Sequence, residues 1–183
     1  MGDNLLILQW NCQSLRGKLD ELKAYLAATN ELPDLLVFQE TWLTDRVRLI
    51  FPGYNIVRLD RKTAPGGGVA TFIRSGISYV SDIISHSPES LRVTIQTSKG
   101  TLINIVNVYS TPTLDYNTFQ NSLHKSFVHP NSVILGDFNS YSVVFGAKRS
   151  DKKGRLIESL MDHYGLVGLN LGMGTHMTSR GKT

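Results

Sequence analysis

Short apolar runs separated by polar turns fill most of this chain, and helical spacing takes over in only three places. Leu5 to Trp10 is a dense apolar run that reads as a buried strand. It stops at the polar cluster Asn11-Cys12-Gln13-Ser14. Leu15, Leu19, Leu22 and Leu26 then recur at helical spacing, with Arg16, Lys18, Asp20, Glu21 and Lys23 on the other face. Ser14 suits an N-cap and Pro33 lies just beyond the end. Asp34 to Phe38 is a second buried run, ending at Gln39-Glu40. Strand, helix, strand predicts a parallel βαβ-like unit.

The middle of the chain is β-rich. Tyr54 to Leu59, Val69 to Arg74, Ile77 to Ile84, Leu91 to Thr97 and Thr101 to Tyr109 read as strands. Their joints are turn-like: Pro65-Gly66-Gly67-Gly68, Ser75-Gly76 and the hairpin loop Ser98-Lys99-Gly100. Consecutive strands favour antiparallel neighbours, so the sheet is expected to be mixed. Tyr116 to Phe127 is a predicted helix with Tyr116, Phe119, Leu123 and Phe127 on one face, and Ser132 to Leu135 is a strand. A last helix starts at Ser150 or Asp151, carries the stripe Leu156, Ile157, Leu160, Met161 and Tyr164, and ends at Gly165. Leu166 to Leu169 is predicted as a short strand, and Gly174 to Thr178 as the start of another.

Chemistry concentrates where these apolar runs stop. Val133-Ile134-Leu135-Gly136-Asp137-Phe138-Asn139 ends a strand in a carboxylate and an amide two residues apart. Alternation along a strand sends both side chains the same way, which suits a metal or phosphate site. An Asx turn that only caps backbone is the alternative. Asn11, Glu40 and Tyr109 close other strands. Taken singly they read equally as a turn residue, an exposed strand-end charge and a hydrophobic lid. Gly66 to Gly68 precedes a strand and not a helix, so it lacks the helix N-terminus of a phosphate cradle and reads as a flexible loop or strand entrance. Lys148, Arg149, Lys152, Lys153 and Arg155 form a basic cluster, either a solvated surface or an attractor for a phosphate backbone.

Composition narrows the class. The 183 residues fit one domain with a substantial core, 41% of them are apolar, and no run is long enough to span a membrane. One cysteine, Cys12, excludes an intramolecular disulfide and a zinc cluster, and an intracellular setting, nuclear or cytoplasmic, fits best. The net charge of +4 permits a nucleic-acid partner without arguing for one.

The order of the motifs carries more than each alone. Strand-Asn11, strand-Gln39-Glu40, strand-Asn107-Val108-Tyr109 and strand-Gly136-Asp137-Phe138-Asn139 together resemble the endonuclease/exonuclease/phosphatase superfamily. Gln39-Glu40-Thr41-Trp42-Leu43, Gly66-Gly67-Gly68-Val69-Ala70 and the Gly136 to Asn139 stretch are most similar to the apurinic-endonuclease-like domain of LINE-type (non-long-terminal-repeat) retrotransposons. The resemblance implies a four-layer α/β sandwich, two mixed β-sheets flanked by helices, that cuts phosphodiester bonds in DNA with Mg2+, or with Mn2+ in its place. Under it Glu40 binds the metal with Asn11 beside it. Asp137 orients or deprotonates the attacking water, Asn139 holds the scissile phosphate, and Tyr109 bonds a phosphate oxygen. Thr175 and Arg149 would face the DNA.

The family pattern also implies a late aspartate strand and a Ser-Asp-His-type ending, and the 183 residues stop before such elements, at Arg180-Gly181-Lys182-Thr183. The domain is therefore expected to be incomplete at its C-terminus, its last strands missing, its nuclease activity weakened or absent, and its open sheet edge prone to self-association. Asp162-His163 has the right letters but falls on a helical stripe. Tyr141 and Phe145 stand where relatives commonly carry a histidine and a tryptophan, with Gly146 kept. Alternatives are a non-cutting derivative that binds nucleic acid or protein, and a phosphoesterase for a lipid or small phosphate.

Overall fold

The computed structural model describes residues 4–29 and 32–169, and the backbone of 177–178 and 181–182. In chain order its elements are β1 (Ile7–Asn11), α1 (Leu15–Thr29), β2 (Leu35–Gln39), β3 (Tyr54–Leu59), β4 (Val69–Arg74), β5 (Tyr79–His86), β6 (Glu89–Gln96), β7 (Leu102–Tyr109), α2 (Tyr116–Phe127), β8 (Ser132–Asp137), a 3₁₀ turn (Val143–Phe145), α3 (Lys152–Tyr164), β9 (Met177–Thr178) and β10 (Gly181–Lys182). One sheet has the order β1-β2-β4-β3 and a second β5-β6-β7-β8, while β9 and β10 pair only with each other. Two pairs are parallel, β1 with β2 through α1 and β7 with β8 through α2. The other pairs of both large sheets are antiparallel. Both large sheets are thus mixed, as the run of consecutive central strands required.

Strand alternation builds the layers. Leu36 and Phe38 of β2 face α1 and pack with Leu15, Leu22, Leu26 and Phe72. Leu35 and Val37, on the opposite face, meet Leu91, Val93 and Ile105 of the second sheet. Val106 and Val108 then point away from that interior onto Phe119, Leu123 and Phe127 of α2 and Ile157 and Met161 of α3. The order is α1, first sheet, second sheet, then α2 with α3: the four-layer sandwich. All five residues of β2 are buried, because both its faces are covered.

One polar link crosses the apolar layer between the sheets. Asn107 of β7, fully buried, donates through Nδ2 to the carbonyls of Phe38 (3.1 Å) and Ala70 (3.0 Å) and accepts from Gln39 Nε2 (2.7 Å). Gln39 in turn accepts from Gln9 Nε2 at 2.6 Å. The chain of amides ties β7 to β1, β2 and β4 directly behind Glu40.

Several expectations are corrected. Ser14 is not an ordinary N-cap: its φ is +90°, and its N–H and that of Leu15 bond the carbonyls of Glu40 (2.9 Å) and Thr41 (3.0 Å). The start of α1 is thereby fastened to the loop after β2. The run Ser132 to Leu135 is half-buried and not buried throughout, because β8 ends the sheet order with a strand neighbour on one side only among the described residues. Leu166 to Leu169 forms no strand; the Leu166 N–H instead bonds Met161 O at 2.8 Å, closing the end of α3 behind left-handed Gly165. Of the strand begun at Gly174, only Met177–Thr178 falls among the described residues. Of Ser150 and Asp151 it is Asp151 that caps the last helix, its carboxylate accepting the Gly154 N–H, and Asp115, missed from the sequence, caps α2 in the same way.

Candidate active site at the strand ends

The two parallel pairs end level with one another. Asn11 of β1 stands opposite Gln39 of β2, and Tyr109 of β7 opposite Asp137 of β8. One parallel pair comes from each sheet, and the carboxyl ends of both open on the same place, which is where α/β sheets bind ligands.

Asn11 joins the two carboxylates there. Its Nδ2 donates to Glu40 Oε1 at 2.9 Å and to Asp137 Oδ2 at 2.7 Å, across 29 and 126 residues of sequence. Both amide hydrogens are spent, and the remaining atom, Asn11 Oδ1, is buried with no hydrogen-bond partner among the described residues. Such an atom is costly unless something else binds it. A hard cation fits: this amide oxygen, with the two carboxylates gathered by the same side chain, offers the oxygen donors that magnesium takes. Glu40 with Asn11 would hold it, and Asp137 lies within the same hydrogen-bonded set.

Strand alternation is not what aims these groups. β8 stops at Asp137, and Asn139 lies beyond it with φ +46°. Asp137 Oδ1 accepts the Asn139 N–H at 3.0 Å, so the Asx turn weighed against a functional site is present. It occupies one oxygen and leaves the other to Asn11, so the two readings coexist. Asn139 Nδ2 donates to Ser110 O at 2.9 Å and keeps a second amide hydrogen. Glu40 likewise follows its strand with φ +51°, and Trp42, at φ +53°, brings its indole N–H to within 3.4 Å of Glu40 Oε2. Left-handed backbone at non-glycine residues costs energy and gathers at functional sites.

Tyr109 is buried, with the Glu40 carboxylate near its hydroxyl. Burial first, and then the negative charge of Glu40, push its phenol up to about 12, while the Arg61 guanidinium pulls the other way. Tyr109 is therefore a hydrogen-bond donor throughout the neutral range. Burial likewise pushes the Cys12 thiol up to about 12, which removes it as a nucleophile.

The glycine run is a strand entrance, and it is bound tightly and not loose. Gly66, Gly67 and Gly68 all have left-handed φ, from +67° to +84°. The Thr41 and Trp42 N–H groups bond the carbonyls of Gly68 (3.2 Å) and Gly67 (2.9 Å). The Gly68 N–H donates to Glu89 Oε2 at 2.7 Å. Glu89 and its partner Arg61 were missed from the sequence, since nothing local marks a glutamate at the start of β6 as buried.

The other candidates stay apart. Arg149 is exposed between the 3₁₀ turn and α3 with no hydrogen bond to this group, and Thr175 lies outside the described residues. In the basic cluster Lys152 sits 3.8 Å from the Tyr116 ring centre and Lys153 5.3 Å from that of Phe119, so two of its cations cover aromatic rings of α2.

The family profile described as Endonuclease/Exonuclease/phosphatase family matches residues 8–180, nearly all of the sequence. The chain belongs to this family. Within it, the chain is 25% identical over 162 residues to the RNA-directed DNA polymerase from mobile element jockey of Drosophila melanogaster, covering 84% of the chain but 17% of that protein. The endonuclease domain of TRAS1, a telomere-specific non-LTR retrotransposon, superposes with a TM-score of 0.74 over 96% of this chain and 78% of its own, at 17% identity. A 3' phosphatase from Neisseria, NExo, bound to a product DNA hairpin, gives 0.59 at 22% identity over 87% of this chain and 71% of its own. The LINE-type likeness carried by the motifs thus recurs in sequence and in fold, and the two mixed sheets with three helices are those of the family.

Proposed function

We propose that the chain is a divalent-metal-dependent DNA endonuclease domain of retrotransposon type. The observation that carries this is the Asn11 amide bridging Glu40 and Asp137 with its own oxygen unsatisfied. Glu40 and Asn11 Oδ1 would hold Mg2+ or Mn2+. When bound, such an ion polarises a phosphate oxygen and offsets the charge that develops on it. Asp137, held by Asn11 on one oxygen and by the Asn139 N–H on the other, orients the attacking water and takes its proton. The Tyr109 hydroxyl, which stays protonated, donates to a phosphate oxygen. Asn139 offers its second amide hydrogen to the scissile phosphate. The jockey and TRAS1 likenesses favour DNA over a lipid or small phosphate as the substrate.

The test is nicking of supercoiled plasmid with Mg2+ by wild type, Glu40→Ala and Asp137→Ala. Each variant should lose about 10²–10⁴-fold in rate. Equal rates for all three would end this reading. A second reading, DNA binding without cutting, rests on the histidines. His86 is exposed at the end of β5, in register with Glu89 and two strands from Tyr109, His124 and His163 are exposed on α2 and α3, His129 bonds Arg92, and no described histidine hydrogen-bonds Asn11, Glu40 or Asp137. That reading expects salt-dependent binding and no nicking.

A further inference from the structure

We infer that Arg61 is a DNA-phosphate-binding residue beside the candidate catalytic group, and that the buried Glu89 exists to hold it there. The inference rests on the nucleic-acid reading above and extends it to a second backbone phosphate, next to the one that is cut.

The cluster is built from four separate segments. Glu89 is 4% exposed, and both its oxygens are spent, one on Gly68 N–H at 2.7 Å and one on Arg61 Nε at 2.5 Å. A buried carboxylate needs such partners, so Glu89 is fully accounted for. Arg61 is not. Its guanidinium has five N–H donors, and the carboxylate takes only the one on Nε; the Nη donors have no acceptor among the described residues. An arginine serving only to neutralise a carboxylate favours the two-toothed pairing, which uses an Nη as well. Here that edge is left over, on a side chain 17% exposed against 4% for its partner.

Its plane is also fixed. The Arg61 carbon Cζ stands 5.5 Å from the centre of the Tyr109 ring. A Cβ on Gly67 would fall 2.2 Å from the same atom, so the glycine backbone lies against the guanidinium and a larger residue would have to displace it. Glu89, Tyr109 and Gly67 together restrain a side chain that would otherwise lose much rotamer freedom on binding. Tyr109, whose ring the guanidinium faces, stands opposite Asp137 in the β7–β8 ladder, which places this ordered, half-unspent fork next to the Asn11-Glu40-Asp137 set. Planar forks with free donors match phosphate oxygens. In a neighbourhood where Glu40 and Asp137 repel a DNA backbone, Arg61 supplies the opposite sign. The triple glycine, which lacks the helix end of a phosphate cradle, thus serves a phosphate through the arginine it covers.

The experiment is binding of a short labelled duplex by fluorescence anisotropy over a series of salt concentrations, with metal chelated, for the full chain and its variants. Arg61→Ala alone would strand the Glu89 charge, so the decisive variant is Arg61→Ala with Glu89→Gln, which keeps an acceptor for Gly68 N–H. Arg61→Lys is the second: its single ammonium is spent on Glu89. Both are expected to lower the slope of log K against log salt by about 0.9 and to weaken binding about tenfold or more at fixed salt, with melting curves that show a folded protein. Slopes and affinities equal to wild type in folded variants would overturn the inference and leave Arg61 a counter-charge. Plasmid nicking with Mg2+ separates this from the nuclease reading. A wild type that binds with the predicted slope change yet does not nick refutes the nuclease and keeps Arg61. One that nicks with the slope unchanged does the reverse. Failure of wild type to bind DNA at low salt overturns both.

Discussion

Replacing Asn107 by alanine tests whether the amide chain between the sheets supports the site in front of it. The substitution removes one hydrogen bond accepted from Gln39 (2.7 Å) and two donated to the carbonyls of Phe38 and Ala70 (3.1 and 3.0 Å), all in a fully buried place. The Gln39 N–H is left without an acceptor at a cost of about 1–3 kcal/mol, and the two carbonyls lose a donor each. A loss of about 3 kcal/mol is expected. For a chain of 183 residues that lowers the melting temperature by about 6–12 °C. Circular dichroism melts and urea titrations measure it, with the urea slope unchanged, since no additional surface is exposed. Because Gln39 adjoins Glu40, nicking should fall at temperatures where the variant is still folded. A melting temperature within about 2 °C of wild type, on the same scale, would refute the reasoning.

Tyr109 should titrate late, near 12, alongside Tyr54, which burial also raises, and Tyr109→Phe should lose the Tyr109 step from an absorbance titration. Its folded value is raised, so its contribution to stability is whole below pH 10 and is lost as pH rises from there towards 12; an unchanged titration in the variant would contradict this. Gly136→Ala should cost about 3 kcal/mol in a thermal melt, because its Cβ would stand 2.1 Å from Val108 O on the neighbouring strand; an unchanged melt would refute it. Strands β1 and β8, each with a neighbour on one side only among the described residues, are expected to support self-association, seen as a mass that rises with concentration in light scattering. A mass that stays at the monomer value across the series would count against it.

The sequence was most informative where local pattern and packing agree. Tyr54–Leu59, Val69–Arg74 and Tyr116–Phe127 form over the residues that periodicity predicted, since each carries its own apolar face and turn signals. The strand-end positions of Asn11, Glu40, Tyr109 and Asp137 were legible because apolar runs stop at them, while their roles came from the resemblance carried by the order of the motifs. What could not be read is pairing across the chain. Half-burial of Val133 to Leu135 depends on β8 having a single strand neighbour among the described residues, which no local pattern states. The fastening of Ser14 to Glu40 depends on the loop after β2 crossing the start of α1. Glu89 and Arg61 lie 28 residues apart and meet only because β3, which Arg61 follows, packs against β6, so neither residue announces the other.

Strand ends from two sheets are proposed to assemble one divalent-cation site around Asn11, Glu40 and Asp137. The most direct test is Mn2+ titration followed by the paramagnetic resonance of the free ion, on wild type and Glu40→Gln, which keeps the shape and an acceptor for Asn11. The account predicts that wild type binds the ion and that Glu40→Gln, still folded, binds it at least about tenfold more weakly. Equal affinity in the two proteins would contradict it.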